Sequence, residues 1–265
     1  MQPMTTIALR AARKAGEIIA RATDQLDKVE VQQKGVNDFV TEIDQAAERE
    51  VVYHLQKAYP DHAILGEEGG VIGNPDSDYQ WFIDPLDGTT NFIRGIPHFA
   101  VSIACAHKGQ LEHAVILDPI RREEFTASRG HGAQLNGRRL RVTARKSLEG
   151  ALIGTGIPYK SRAEEFIPSY MRSLEAVAKQ TAGIRRAGSA ALDLAYVAAG
   201  RLDGFWEIGL RQWDIAAGAL LIREAGGLLS DFSGGANYLD TGNIVAGGPK
   251  CFKALLQTVQ PFLGK

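Results

Sequence analysis

The sequence predicts a layered α/β protein in two halves, and three observations predict it. Two amphipathic helices come first, a run of short alternating strands follows from Phe99, and strand and helix patterns alternate beyond about residue 148. The expected division is residues 1–147, an α+β half with an antiparallel meander, and residues 148–265, an α/β half. At 265 residues and 45% hydrophobic content the chain can bury a large core.

The first helix is read from Ile7, Ala11, Ala15, Ile18, Ile19 and Ala22 at helical spacing, with basic residues between them and Thr5 or Thr6 as cap. A second follows the turn-like KGVNDF, with Ala47, Val51, Leu55 and Ala58 on one face, and stops at Tyr59-Pro60. The meander comprises VSIACAH, a turn at Lys108-Gly109, LEHAVILD, a turn near Pro119, EEFTAS, and AQLNGRRLRV folded at Asn136-Gly137. In the second half ALIGTG, DGFWEI, LLSDF and NIVAG read as strands. Helices are expected near 163–179, from Ser189 to Gly200, over IAAGALLIREAGG and at the C-terminus.

Thirty basic against 31 acidic side chains give a formal net charge of -1, which argues against a coat for nucleic acid or an anionic membrane. No segment has the apolar length of a membrane span or a signal peptide, so a cytoplasmic protein is expected. Cys105 and Cys251 stand far apart outside any C-x-x-C pair, the pattern of buried thiols. The basic run Arg138, Arg139, Arg141, Arg145 and Lys146 reads as a solvated face.

The chemistry concentrates in WFIDPLDGTTNF, residues 81–92. A short strand ends at Ile83, Pro85 interrupts simple ladder pairing, and Gly88-Thr89-Thr90 suits a turn into a helix. Asp84 and Asp87 then lie at the end of a strand, where open α/β sheets place ligands. The same residues also suit an Asx-turn followed by a helix cap. Glu67-Glu68 close another short apolar run, and Asp214 precedes an apolar helix that it can also cap. These are all-oxygen ligands with no His or Cys interleaved, the set that suits magnesium or manganese. A phosphate is the natural partner of such a site.

DPLDGTTNF, with Gly66-Glu67-Glu68 upstream and WDIAAGALLIREAGG downstream, resembles the inositol monophosphatase family in motif, order and spacing over nearly the whole chain. The resemblance implies an αβαβα sandwich of the inositol monophosphatase/fructose bisphosphatase type. It also implies a homodimer and a lithium-sensitive, Mg2+-dependent site between the two halves. By motif, Glu67, Asp84 and the Leu86 carbonyl hold one Mg2+; Asp84, Asp87 and Asp214 hold a second; a third leans on Glu67 through water. Thr89, paired with Asp44, helps a water attack phosphorus, so the implied catalytic residues are Glu67, Thr89 and Asp44. The substrate contacts implied are Asp87, Gly88, Thr89, Arg185, Gly188, Ser189, Ala190, Glu207 and Asp214, with the Gly88 and Thr89 amides on phosphate and Glu207 on inositol hydroxyls. Gly69-Gly70 departs from relatives that carry serine there, and a more mobile loop is expected.

Function follows as an expectation: hydrolysis of a small phosphomonoester, myo-inositol monophosphate or a similar polyol phosphate. A nucleotide or sugar bisphosphate remains a second substrate class. The bacterial branch of the family is associated with ribosomal RNA transcription antitermination, so NusA, RNA polymerase and RNA are the alternative partners.

Overall fold

The structure is a computed structural model and describes residues 1–35, 38–158 and 163–264. Residues 36 and 37 of the KGVNDF turn lie outside the described residues. Five layers stack. Helices α1 (Pro3–Ala22) and α2 (Glu42–Ala58) cover one face of an eight-stranded sheet. Helices α5 (Ala190–Ala198) and α6 (Gln212–Glu224) fill the space between that sheet and a five-stranded one. Helices α4 (Ala163–Ala178) and α8 (Pro249–Leu263) pack on each other, and α8 lies on the outer face of the second sheet. This is the αβαβα order expected.

The large sheet contains β3 (Ala63–Gly66), β4 (Gly70–Ile72), β5 (Tyr79–Asp87), β6 (Ala100–His107), β7 (Gln110–Asp118), β8 (Glu123–Ser128), β9 (Gly132–Leu135) and β10 (Arg138–Arg139), in the order 10-9-8-7-6-5-3-4. From β5 to β10 it is the antiparallel meander. Its tight turns carry the chemistry that reverses a twisted hairpin: Lys108-Gly109 and Asn136-Gly137 have φ of 50°, 75°, 49° and 79°, positive at both central positions. The small sheet contains β11 (Leu152–Thr155), β12 (Gly183–Arg185), β13 (Gly204–Glu207), β14 (Leu228–Ser230) and β15 (Ile244–Gly247), in the order 12-11-13-15-14. A separate hairpin, β1 (Val31–Gly35) with β2 (Asp38–Thr41), precedes α2. Among the described residues a 3-10 helix, Thr23–Lys28, follows α1, and there are two short α-helices, α3 (Thr89–Ile93) and α7 (Tyr238–Thr241). Among the described residues no helix is long and apolar enough to cross a membrane.

Several local expectations change. Helix α1 begins at Pro3, with Gln2 at the cap, so neither Thr5 nor Thr6 caps it. Thr5 instead is buried against the sheet, its hydroxyl 2.7 Å from Ser128 Oγ. Pro85 does not end its strand: β5 runs to Asp87 through a bulge, one of the few places a strand accepts proline. The three-residue strand β12 has too short a pattern to be read from sequence.

Side-chain alternation along β5 explains both cores. Trp81 and Ile83 face the layer under α1 and α2, while Phe82 faces α5 and α6. The apolar layer between the sheets is built from small residues, including Ala190, Ala191, Ala195, Ala216, Ala217 and Ala219. Small side chains let α5 and α6 approach closely, and Gly218 is the tightest point, where an added Cβ would stand 2.7 Å from Leu194 Cδ1.

Candidate active site and metal centre

Asp84 and Asp87 are three residues apart, a spacing that points side chains to opposite faces of a regular strand. In β5 it does not, because the register against β6 moves from Asp84↔Ser102 to Asp87↔Ala100. Pro85 and Leu86 on one strand oppose the single Val101 on the other, so one extra residue is inserted between the acids. The parity flips: Leu86 joins Trp81 and Ile83 beneath α1 and α2, and Asp87 turns with Asp84 toward α5 and α6.

Each acid is then held by a different element. Asp84 Oδ1 accepts the Leu86 N–H at 2.9 Å. Asp87 Oδ2 accepts Ser189 Oγ–H at 2.6 Å and the Ala191 N–H at 2.7 Å, which ties β5 to the start of α5. Asp214 sits in the first turn of α6 and accepts the Arg211 N–H at 2.7 Å through Oδ2. It therefore does act as a cap, while also lining the pocket. Glu67 follows β3, and its N–H bonds to the Ile83 carbonyl at 3.1 Å. Thr89 Oγ1 lies 2.9 Å from Asp44 Oδ1 and 3.1 Å from the Leu86 carbonyl oxygen. Asp44 is buried, 1% exposed, and its other oxygen accepts the Thr41 N–H at 2.8 Å in a capping box.

Glu67, Asp84, Leu86, Asp87, Gly88, Thr89, Gly188, Ser189, Ala190, Glu207 and Asp214 all line one pocket of about 300 Å³ between the sheets. Two glycines give it its shape. Gly88 has φ 102° and a Cβ there would stand 3.0 Å from the His98 carbonyl. A Cβ on Gly156 would overlap the Glu207 carboxylate outright.

Arg185 is the exception among the expected contacts. It ends β12 exposed, its guanidinium bonding the Ile184 carbonyl at 3.1 Å, and Arg186 lines the pocket in its place. The strand stops at Arg185 and the chain bends through Gly188, φ 92°, into α5, which carries Arg186 to the site. Two further residues escaped the sequence reading. Asp193, 2% exposed on α5, lines the pocket; an acid inside the otherwise apolar AALDLAYVA was the available signal. Asn91 donates to the carbonyls of His98 at 2.8 Å and Ala187 at 2.9 Å, joining α3 to the Gly188 bend; nothing local distinguishes that asparagine from a turn residue.

The electrostatics are those of crowded acids. Burial raises the Asp84 carboxyl well above its usual range, and the charges of Glu67, Asp87 and Asp214 raise it further. Burial raises Asp87 to about 6, against the hydrogen bonds from Ser189 and the α5 amides. Asp214 rises through burial and then Asp87; Glu207 rises through burial and then Asp193, Asp214 and Asp87, with Arg186 the opposing charge. Among the described residues no three of these groups are drawn together at ligating spacing; they face a shared space across which their charges act. That donor set fits a hard divalent cation, which relieves the repulsion that otherwise holds protons on the acids. Glu67, Asp84, Asp87, Asp214 and the Leu86 carbonyl are the residues that would hold it.

Ser189 serves two ends of this arrangement, bonding Asp87 and accepting the Leu192 N–H at 3.3 Å as the α5 cap. Ser189→Ala is expected to cost about 1–2 kcal/mol in chemical denaturation, the upper range for a lost cap, because Asp87 loses a partner as well. A cost under about 0.3 kcal/mol would show that the link is unimportant to the fold.

Comparison with known proteins fits this geometry. The model of the inositol monophosphatase family matches residues 1–263. The Nus factor SuhB of Pseudomonas aeruginosa is 64% identical over 99% of this chain and 98% of that relative, and its Escherichia coli K12 counterpart is 56% identical over 98% and 97%. Among solved structures, the suhB extragenic suppressor protein of Bartonella henselae superposes with a TM-score of 0.93 at 44% identity, covering 97% of this chain and 98% of that one. The inositol monophosphatase of Anabaena superposes at 0.87 with 36% identity, covering 98% and 96%. A motif set in one pocket, a five-layer fold and relatives aligned from end to end lead to one conclusion: this chain belongs to the inositol monophosphatase family.

Proposed function

We propose that the chain is a cytoplasmic, Mg2+-dependent phosphomonoesterase that hydrolyses myo-inositol monophosphate and similar small polyol phosphates. The observation that carries this reading is the meeting of Glu67, Asp84, Asp87 and Asp214 with Thr89 and Glu207 around one pocket. When bound there, a divalent cation supplies neutralising charge for phosphoryl oxygens and makes a water more acidic. The chain supplies the rest. Thr89, donating its hydroxyl proton to Asp44, presents its free lone pairs to an attacking water and so orients it. The first amides of α3, which have no helical acceptor, face the phosphate from the Gly88 bend. Glu207 at the end of β13 accepts hydroxyl hydrogen bonds from a polyol ring, in a place that only Gly156 leaves open. At about 300 Å³ the pocket is at the small end for ligand sites, which favours a single-ring polyol phosphate over a nucleotide.

A phosphate-release panel tests this: inositol phosphates, glycerol phosphate, fructose bisphosphate, NADP and adenosine bisphosphate, with and without Mg2+ and Li+. Release from inositol monophosphate is expected to require Mg2+, to fall with Li+, and to drop on the order of 10³-fold in Asp87→Asn. Undiminished release in that variant, or in chelator, would refute the reading.

A second reading is favoured by the names of the relatives, Nus factor SuhB at 64% and 56% identity. In it the chain acts as a homodimer that binds NusA and RNA polymerase, on or near RNA, and the pocket is incidental. Light scattering gives the oligomeric state. Capture of NusA and RNA polymerase by purified wild-type and Asp87→Asn protein separates the two roles: equal capture supports an independent binding role, and none by either dismisses it.

A further inference from the structure

Helix α2 carries two acids one turn apart, Asp44 and Glu48, on the face packed against the sheet; both are buried, 1% and 5% exposed. Asp44 reaches Thr89. Glu48 has no part in the chemistry described above, yet its bonds are specific. Its Oε2 accepts the Glu68 N–H at 3.0 Å, and its Oε1 accepts the Gly69 N–H at 2.6 Å. Both amides belong to the turn between β3 and β4 that also carries Glu67. On the other side of Glu67, its own N–H is tied to Ile83, one residue before Asp84.

The turn is shaped around this carboxylate. A Cβ on Gly66 would stand 2.5 Å from Glu48 Oε2, and one on Gly69 would stand 2.8 Å from Oε1. Gly69 is therefore a contact surface for an anchoring acid, and the two amide bonds restrain the loop that Gly69-Gly70 was expected to loosen. A charged acceptor serving two adjacent amides is the strong form of hydrogen bond, and its loss leaves both amides in a partly buried turn.

We propose that Glu48 is a positioning residue for the metal centre: it fixes the Glu67 turn from the same helix that, through Asp44, fixes Thr89. One rigid element thus sets a metal ligand and the water-orienting hydroxyl in a common frame. The inference rests on the metal reading given above. Groups that orient ligands typically change metal affinity by about 10–100-fold when altered.

Glu48→Gln tests it with little change of volume. The amide oxygen can accept one N–H, but its NH2 must then face the other, so one bond becomes a donor–donor contact. In the metal-free protein, exchange of the Glu68 and Gly69 amides is expected to quicken at least about tenfold. Calorimetry is expected to show Mg2+ affinity weakened by about tenfold, while kcat at saturating Mg2+ stays within about threefold of wild type. Gly66→Ala is the second variant, should Glu48→Gln fail to fold. Gly66 is not among the positive-φ glycines, so alanine is conformationally allowed, and its methyl displaces the Glu48 carboxylate from the loop side. Val51→Ala, fully buried on the same helix, is the control: it lowers the melting temperature and leaves Mg2+ affinity unchanged. Wild-type Mg2+ affinity in Glu48→Gln or Gly66→Ala overturns this inference alone, as does an equal loss in Val51→Ala. No Mg2+ uptake by the wild-type protein overturns the metal reading and this inference with it.

Discussion

Asp84→Asn is expected to lower phosphate release on the order of 10³-fold while raising the melting temperature of the metal-free protein by about 2–4 °C. The two effects share a cause. Asp84 is 2% exposed and feels Glu67, Asp87 and Asp214 at once. Asparagine keeps an oxygen for the Leu86 N–H, now bonded at 2.9 Å, and keeps the volume. What it removes is a crowded ionisable group, whose loss favours the metal-free fold, and with it the negative charge that a bound cation would have as a partner. Added Mg2+ should then raise the melting temperature of the wild-type protein and move the variant much less. A variant that melts several degrees lower, or that still releases phosphate at near the wild-type rate, would show that Asp84 is a structural acid.

The second large effect is expected at Gly218→Ala, in the middle of α6. Alanine is the better helix former by about 1 kcal/mol, so on propensity alone the change should stabilise. Contact decides otherwise. The new methyl would overlap Leu194 on α5, with Cδ1 at 2.7 Å and Cγ at 3.0 Å, inside a layer where neither helix has slack. Overpacking of this kind costs about 1–3 kcal/mol and forces the helices apart, so a net loss of about 1–2 kcal/mol in chemical denaturation is expected. Activity should fall with it, because Ser189, the cap of α5, and Asp214 on α6 line the same pocket. Equal or greater stability would mean that the central layer repacks at no cost.

What the sequence reveals depends on how far the relevant signal extends. The meander is legible because alternation and the turns at Lys108-Gly109 and Asn136-Gly137 are local. So is α1, whose apolar stripe repeats over twenty residues. The convergence of the acids is not local: spacing alone left an Asx-turn and a helix cap open as readings, and resemblance to a family supplied the meeting. In the structure one carboxylate oxygen of Asp214 bonds the Arg211 N–H at the start of α6 while the residue lines the pocket. Arg185 and Arg186 differ by a single step around the end of a three-residue strand, a distinction finer than any pattern in GIRRAG. Asp193 and Glu48 matter through what lies across from them, and no spacing in their own helices records that.

The extra residue in β5 makes the site depend on counting. Pairing β5 with β6 without the bulge would keep every motif residue but restore simple alternation, aiming Asp87 into the oily layer that Trp81 and Ile83 share with α1 and α2. The cluster would then be one arm short, and a lone anion would sit where only hydrocarbon is welcome. Changing the identity of Leu86 asks far less of the molecule than taking the bulge out of β5.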